Sequence, residues 1–106
     1  MTDTPQEDLP TMAAAIKNAV QLCDAMSNAP RVQILAHLLL THEAYADQLR
    51  MVTGMSQPAI SQATHILHKA GLVRRHRRGQ RTYYTLVDPH MLEQILCMAN
   101  ARYEQS

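Results

Sequence analysis

The sequence predicts a mainly α-helical domain with one small two-stranded β-hairpin, and three observations carry that reading. Apolar residues recur at three- and four-residue steps along most of the chain, the period of helices with one buried face. The aromatic complement is four tyrosines with no Phe or Trp, so a core has to be assembled from Leu, Ile, Val, Ala and seven Met. That palette suits helix-on-helix packing better than a β-sandwich. A single stretch, "LVRRHRRGQRTYYTL", departs from the helical period and centres on one glycine. At 106 residues the chain makes one domain, large enough for a core and small enough to gain from a dimer partner.

The first ten residues, "MTDTPQEDLP", are polar with two prolines and read as a flexible tail ahead of a domain over residues 11–106. From there Met12, Ile16, Ala19, Val20, Cys23 and Met26 form a helical apolar stripe. "SNAPR" interrupts it, and Pro30 fits the first turn of a second helix reaching about Leu40. That helix is apolar around much of its circumference and is therefore central. A short helix, "AYADQLRMV", precedes the turn "TGMS". Ser56 is the expected N-cap of the next helix, "QPAISQATHILHKA", with Pro58 in its first turn and Gly71 as its stop. Ile60, Ala63, Leu67 and Ala70 make its buried stripe. Gln57, Pro58, Ser61, His65 and His68 make the opposite face, flanked by Gln62 and Lys69. Two strands, "LVRRHR" and "RTYYTL", then meet around Gly79, which supplies the positive φ of a tight hairpin, with Tyr84 and Leu86 anchoring the base. Asp88-Pro89 reads as cap and first residue of a last helix, "HMLEQILCMANARYE", bringing the count to about five helices.

Charge singles out the middle of the chain. The formal net charge is +1, yet no Asp or Glu occurs from Gln48 to Val87, forty residues that hold Arg50, Lys69, Arg74, Arg75, Arg77, Arg78 and Arg81. A one-sided positive surface on a nearly neutral protein points to a polyanionic partner. Short helix, turn, polar-faced helix and basic hairpin, in that order, make a winged helix-turn-helix. Its second helix would enter the major groove, where Ser56, Gln57, Ser61, Gln62 and His65 offer donors and acceptors to base edges and no carboxylate repels phosphate. The wing arginines Arg74, Arg75, Arg77, Arg78 and Arg81 would grip the backbone, and about five neutralised phosphates per subunit give a log K against log salt slope of roughly −4 to −5.

Other classes fit poorly. No nucleophile elbow, phosphate loop, HExxH motif or acidic dyad occurs, and three glycines leave little for a cofactor-cradling loop, so no enzyme is expected. A winged helix given over to protein contacts calls for acidic or apolar residues on the presented helix and a shortened wing, and the sequence has neither. RNA recognition calls for exposed aromatics, and only Tyr83 is near. No apolar run has the length of a membrane span, the acidic start is unlike a signal peptide, and two isolated cysteines fit a reducing cytoplasm.

The segments "CDAMSNAPRVQILAHLL", "SQPAISQATHILHKAGLV" and "RRGQRTYYTLVD" resemble the corresponding parts of the ArsR/SmtB family of bacterial transcriptional repressors, and the likeness covers nearly all of the chain from about residue 15. The resemblance implies a homodimer with the first and last helices at its interface. It also implies an inverted-repeat operator on double-stranded DNA, and release when an effector binds. The family's cysteine-rich metal motif falls on "EAYADQL", which has no Cys. Its other metal site falls on Asp88, His90, Ala101 and Glu104. With Ala101 where a histidine is expected, a degenerate set of Asp88, His90 and Glu104 remains for zinc or another divalent metal, beside the reading in which Asp88 only caps a helix. Cys23 and Cys97 lie on the helices that the resemblance assigns to the dimer seam, as a candidate redox or persulfide switch; the alternative is two inert thiols, with Cys23 buried on its stripe.

Overall fold

The computed structural model describes residues 11–105, without the side chains of 104 and 105, so the expected N-terminal tail lies outside the described residues. Thr11 caps the first helix, its hydroxyl accepting from the Ala14 amide at 3.1 Å, and α1 spans Met12–Ala25. Its C-terminal carbonyls are held by Arg31, whose Nε and Nη2 donate to Ala25 and Asp24 at 2.8 and 2.9 Å. Asn28 caps α2, Ala29–Thr41, and Pro30 occupies its first turn, where the missing N–H has no intrahelical partner to lose. Ile34, Leu35 and Leu38 are fully buried, which makes α2 the central helix.

The segment that reads as one short helix divides in two. Ala44–Tyr45 is a strand, β1, paired antiparallel with Tyr83 and Tyr84, and α3 begins only at Ala46 and runs to Thr53. The Tyr45 amide donates to Gln48 Oε1 at 2.8 Å, which puts Tyr45 at the cap of the helix, and Ala44 is buried against the sheet. The hairpin of β2 (Val73–Arg78) and β3 (Arg81–Leu86) therefore belongs to a three-stranded sheet of order β1-β3-β2 instead of standing as a free two-stranded ribbon. Helix α4 spans Gln57–Lys69 and α5 spans Pro89–Gln105.

The core is Ile34, Leu35, Leu38, Leu49, Ile60, Leu67, Val73 and Leu92, drawn from four helices and the sheet, with Tyr84 and Leu86 closing the base of the hairpin as expected. Burial departs from the sequence reading at two places, Ala70 at the end of α4 and Cys23 on α1. On α4 the buried stripe takes in Thr64, while Ala70 is only half-buried. On α1 the apolar stripe faces outward: Met12, Ile16 and Val20 are 76%, 57% and 63% exposed, and Cys23 is exposed as well. Only Ala25 of this helix is buried, with Leu22 and Met26 packed at the edge of the core, because no other described element of the protomer lies over the stripe.

Candidate nucleic-acid interface

Gly54 ends α3 in the left-handed region (φ 75°), and the three residues Gly54–Ser56 turn the chain into α4. Ser56 caps that helix by accepting from the Ala59 amide at 3.3 Å, so this predicted contact residue already spends its oxygen as an acceptor. The buried stripe of Ile60, Ala63, Thr64 and Leu67 fixes the roll of the helix. At 100° per residue, His65, Pro58, Lys69 and Gln62 then point most directly away from the core, while Gln57, Ser61 and His68 turn toward the hairpin. All seven are exposed, and none is acidic.

Helix and hairpin are joined at two points. Thr64 Oγ1 donates to the Ile60 carbonyl at 2.8 Å and lies 3.2 Å from the Tyr84 hydroxyl, which gives a buried polar pair its partners. His68 Nδ1 lies 3.2 Å from the Val73 carbonyl; a carbonyl only accepts, so the ring proton sits on Nδ1. Between the two elements runs an open cavity of about 340 Å³, lined by Gln57, Ser61, His65 and His68 on the helix and by Arg75 and Gln80 on the hairpin. It is polar, cationic on one wall and free of carboxylates, with the N-terminal amides of α4 at one end, a setting that favours a phosphate. Gln62 stands on the other flank of α4, beside Pro30, Arg31 and Met55.

The hairpin turns through Gly79-Gln80, with Arg78 opposite Arg81 as the last pair. Positive φ at the first central residue (65°) and not at the second is the pattern of a type II′ turn, which glycine enters without strain. Strand alternation splits the arginines between two faces. Arg75 and Arg77 share the face of buried Val73, while Arg74 and Arg78 lie on the other with His76. All five wing arginines are exposed. Two of them are engaged. Arg78 donates to Glu43 Oε2 and to the Tyr45 hydroxyl, both at 3.0 Å, and its guanidinium lies 4.2 Å from the centre of the Tyr83 ring. Arg81 donates to Asp47 Oδ1 and Oδ2 at 3.1 and 3.3 Å and lies 3.6 Å from the centre of the Tyr45 ring. His76 stacks on Tyr83 at 4.7 Å and meets Thr85 Oγ1 at 2.8 Å through Nε2. The Glu43 hydrogen bond, and after it that of Tyr45, raises the Arg78 guanidinium above its ordinary range. Glu43, Tyr45 and Asp47 are functional candidates that the sequence reading missed.

The remaining predicted residues lie on α1 and at the start and along the length of α5. Asp88 Oδ1 accepts from the Met91 amide at 3.0 Å and so caps α5; His90 is exposed, and the Glu104 side chain is outside the described ones. Among the described residues no three His, Cys, Asp or Glu side chains come together as metal ligands. Cys23 and Cys97 are both free and exposed, which removes the expectation of a buried Cys23. Among the described residues no helix is long and apolar enough to cross a membrane.

A polar helix presented by a short turn, with a basic hairpin packed on its flank, defines a winged helix-turn-helix. No protein-family model matches the chain. It is 35% identical over 88 residues to the transcriptional activator HlyU of Vibrio cholerae, covering 77% of this chain and 81% of that protein. The solved structure of reduced HlyU from Vibrio cholerae superposes with a TM-score of 0.72 at 32% identity, over 90% of this chain and 98% of that one. In fold alone, the homodimeric winged helix-turn-helix DNA-binding domain of Mb0332 from Mycobacterium bovis gives a TM-score of 0.82 at 24% identity, over 93% and 94% of the two chains. The chain belongs to the ArsR family of winged helix-turn-helix transcriptional regulators.

Proposed function

We propose that the protein is a homodimeric, sequence-specific DNA-binding regulator that reads an inverted repeat in duplex DNA from the cytoplasm. The observation that carries this is the carboxylate-free outer face of α4, set beside a cationic hairpin by buried contacts on its other side. In that reading α4 enters the major groove, with Gln57, Ser61, Gln62 and His65 at base edges and Ser56 holding the helix start. Arg74, Arg75 and Arg77 meet the flanking phosphates. The exposed apolar stripe of α1, together with Met98 on α5, supplies a surface for a second copy. The radius of gyration of 16.1 Å, against about 13 Å for a compact chain of this length, accords with helices that project to meet a partner. Twofold symmetry then makes the operator an inverted repeat. Occupying such a site blocks transcription in the simplest case, and we assign repression on that basis.

Effector release falls to the thiols in this reading. Cys23 and Cys97 are exposed on the two helices assigned to the seam, and Cys23 lines an apolar hollow with Ala19 and Val20. Oxidation or persulfidation there changes the surface on which the dimer depends. The DNA assignment is tested by selecting duplexes from a randomised library with the wild type and with Gln62→Ala. An inverted repeat is expected from the wild type and an altered preference from the variant. Selection of no motif by the wild type would overturn the assignment.

A further inference from the structure

Resting on the DNA-binding reading, we infer that Glu43, Tyr45 and Asp47 form a clasp that fixes the angle of the wing and withholds Arg78 and Arg81 from phosphate. Those two arginines are thereby positioning residues, and Arg74, Arg75 and Arg77 are left as the wing's backbone contacts.

The need for a clasp is visible in the pairing. Arg78 and Arg81 stand directly opposite each other at the end of the hairpin, and like charges in that position disfavour the pair. The hairpin is fully buried only at its base, through Val73, Tyr84 and Leu86. Beyond Tyr83, where β1 no longer pairs, it continues as two strands alone, an arrangement at best marginally stable in water. Both problems are met at one place. Each guanidinium has its own carboxylate, so the repulsion is offset, and the Tyr45 ring sits in reach of both cations. Tyr45 also packs edge-on against Tyr83 at 5.7 Å, and Tyr83 carries His76 on its ring. Exposed ion pairs are weak one at a time. Here each arginine holds a carboxylate and an aromatic face together, and a phosphate would have to replace both. The clasp joins β1 and the start of α3 to the tip of the wing, elements 34 and 35 residues apart.

The test is the salt dependence of binding to a mixed-sequence duplex of about 30 base pairs, by fluorescence anisotropy between about 50 and about 200 mM KCl. Glu43→Gln/Asp47→Asn frees both arginines and is expected to steepen the log K against log salt slope by roughly 1.8 per subunit, at about 0.9 per phosphate. Arg78→Ala/Arg81→Ala is expected to leave the wild-type slope in place while accelerating hydrogen exchange of the wing amides. Asp88→Asn/Glu93→Gln carries the same charge change away from the wing, keeps a capping residue at 88, and is expected to leave the slope unmoved. The clasp is overturned if the arginine variant flattens the slope by roughly 1.8 per subunit, because those side chains would then already be on phosphate. It is equally overturned if the clasp-acid variant behaves like the Asp88/Glu93 control. Absence of any wild-type binding would instead remove the DNA reading itself, and the positioning role with it.

Discussion

Placing a carboxylate in the middle of the α1 stripe, Val20→Glu, tests the dimer. Met12, Ile16 and Val20 recur every four residues on one face and are 76%, 57% and 63% exposed. Their exposed fractions amount to about two whole apolar side chains per protomer, and covering them is worth roughly 4 kcal/mol on each side at about 2 kcal/mol per side chain. Val20 alone accounts for roughly 1.3 kcal/mol per protomer on that scale, so its loss from both sides removes about 2.5 kcal/mol. Two carboxylates brought to a twofold seam add a desolvation and repulsion term of at least a further 1 to 2 kcal/mol. The dimer dissociation constant should therefore rise by about 300- to 2,000-fold, at a factor of ten for each 1.4 kcal/mol. Sedimentation velocity across micromolar concentrations reads this directly, as a dimer for the wild type and a monomer for the variant. Because Val20 is exposed in the protomer, the variant keeps its helical circular dichroism. A variant that stays dimeric would refute the use of this stripe as the seam, and a monomeric wild type would refute the dimer.

Gly79→Ala tests the hairpin turn. The added methyl meets no atom within 4 Å, so the whole cost is the left-handed backbone, about 1 to 2 kcal/mol, and Tm should fall by roughly 4 to 8 °C per kcal/mol. An unchanged thermal transition would mean that the turn does not hold its positive φ. For the thiols, hydrogen peroxide should raise the intact mass of the wild type and release it from a selected duplex, the peroxide being reduced to water as sulfur is oxidised. Cys23→Ser/Cys97→Ser should remain bound under the same treatment. Release of that double variant, or no mass change in the wild type, would remove the thiols from effector sensing.

Much of this fold is written in local chemistry. Thr11, Ser56 and Asp88 each precede a helical run, and each caps it, because a cap depends on three or four consecutive residues. Gly79 marks the hairpin for the same reason. What periodicity reports is that a face is apolar, and it is silent on which body covers that face. The stripe on α1 is therefore legible as a stripe, while the body that covers it is not. A strand of two residues has no period to detect, so β1 was absorbed into the helix that follows it. The clasp lay further out of reach. Glu43 and Asp47 fall just before the acid-free window, and no spacing rule links them to arginines 34 and 35 positions later once the strand that brings them together goes unseen. Thr64 escaped notice because a threonine within an apolar stripe becomes legible only when its partner, the Tyr84 hydroxyl, is in place.

The same geometry bears on how a weakly charged protein could favour one duplex over many. Phosphate contacts carry no sequence information, and arginines on a mobile wing would find phosphates whether or not α4 was seated in the groove. A wing fixed at its base by Thr64 and His68, and at its tip by Glu43 and Asp47, has no such freedom. Arg74, Arg75 and Arg77 then reach the backbone in the one orientation that also places Gln62 and His65 against the bases, so the electrostatic gain is tied to correct docking. Freeing the clasp should accordingly raise affinity for arbitrary DNA more than for the operator. Discrimination between the two would shrink even though no residue at a base edge had been changed.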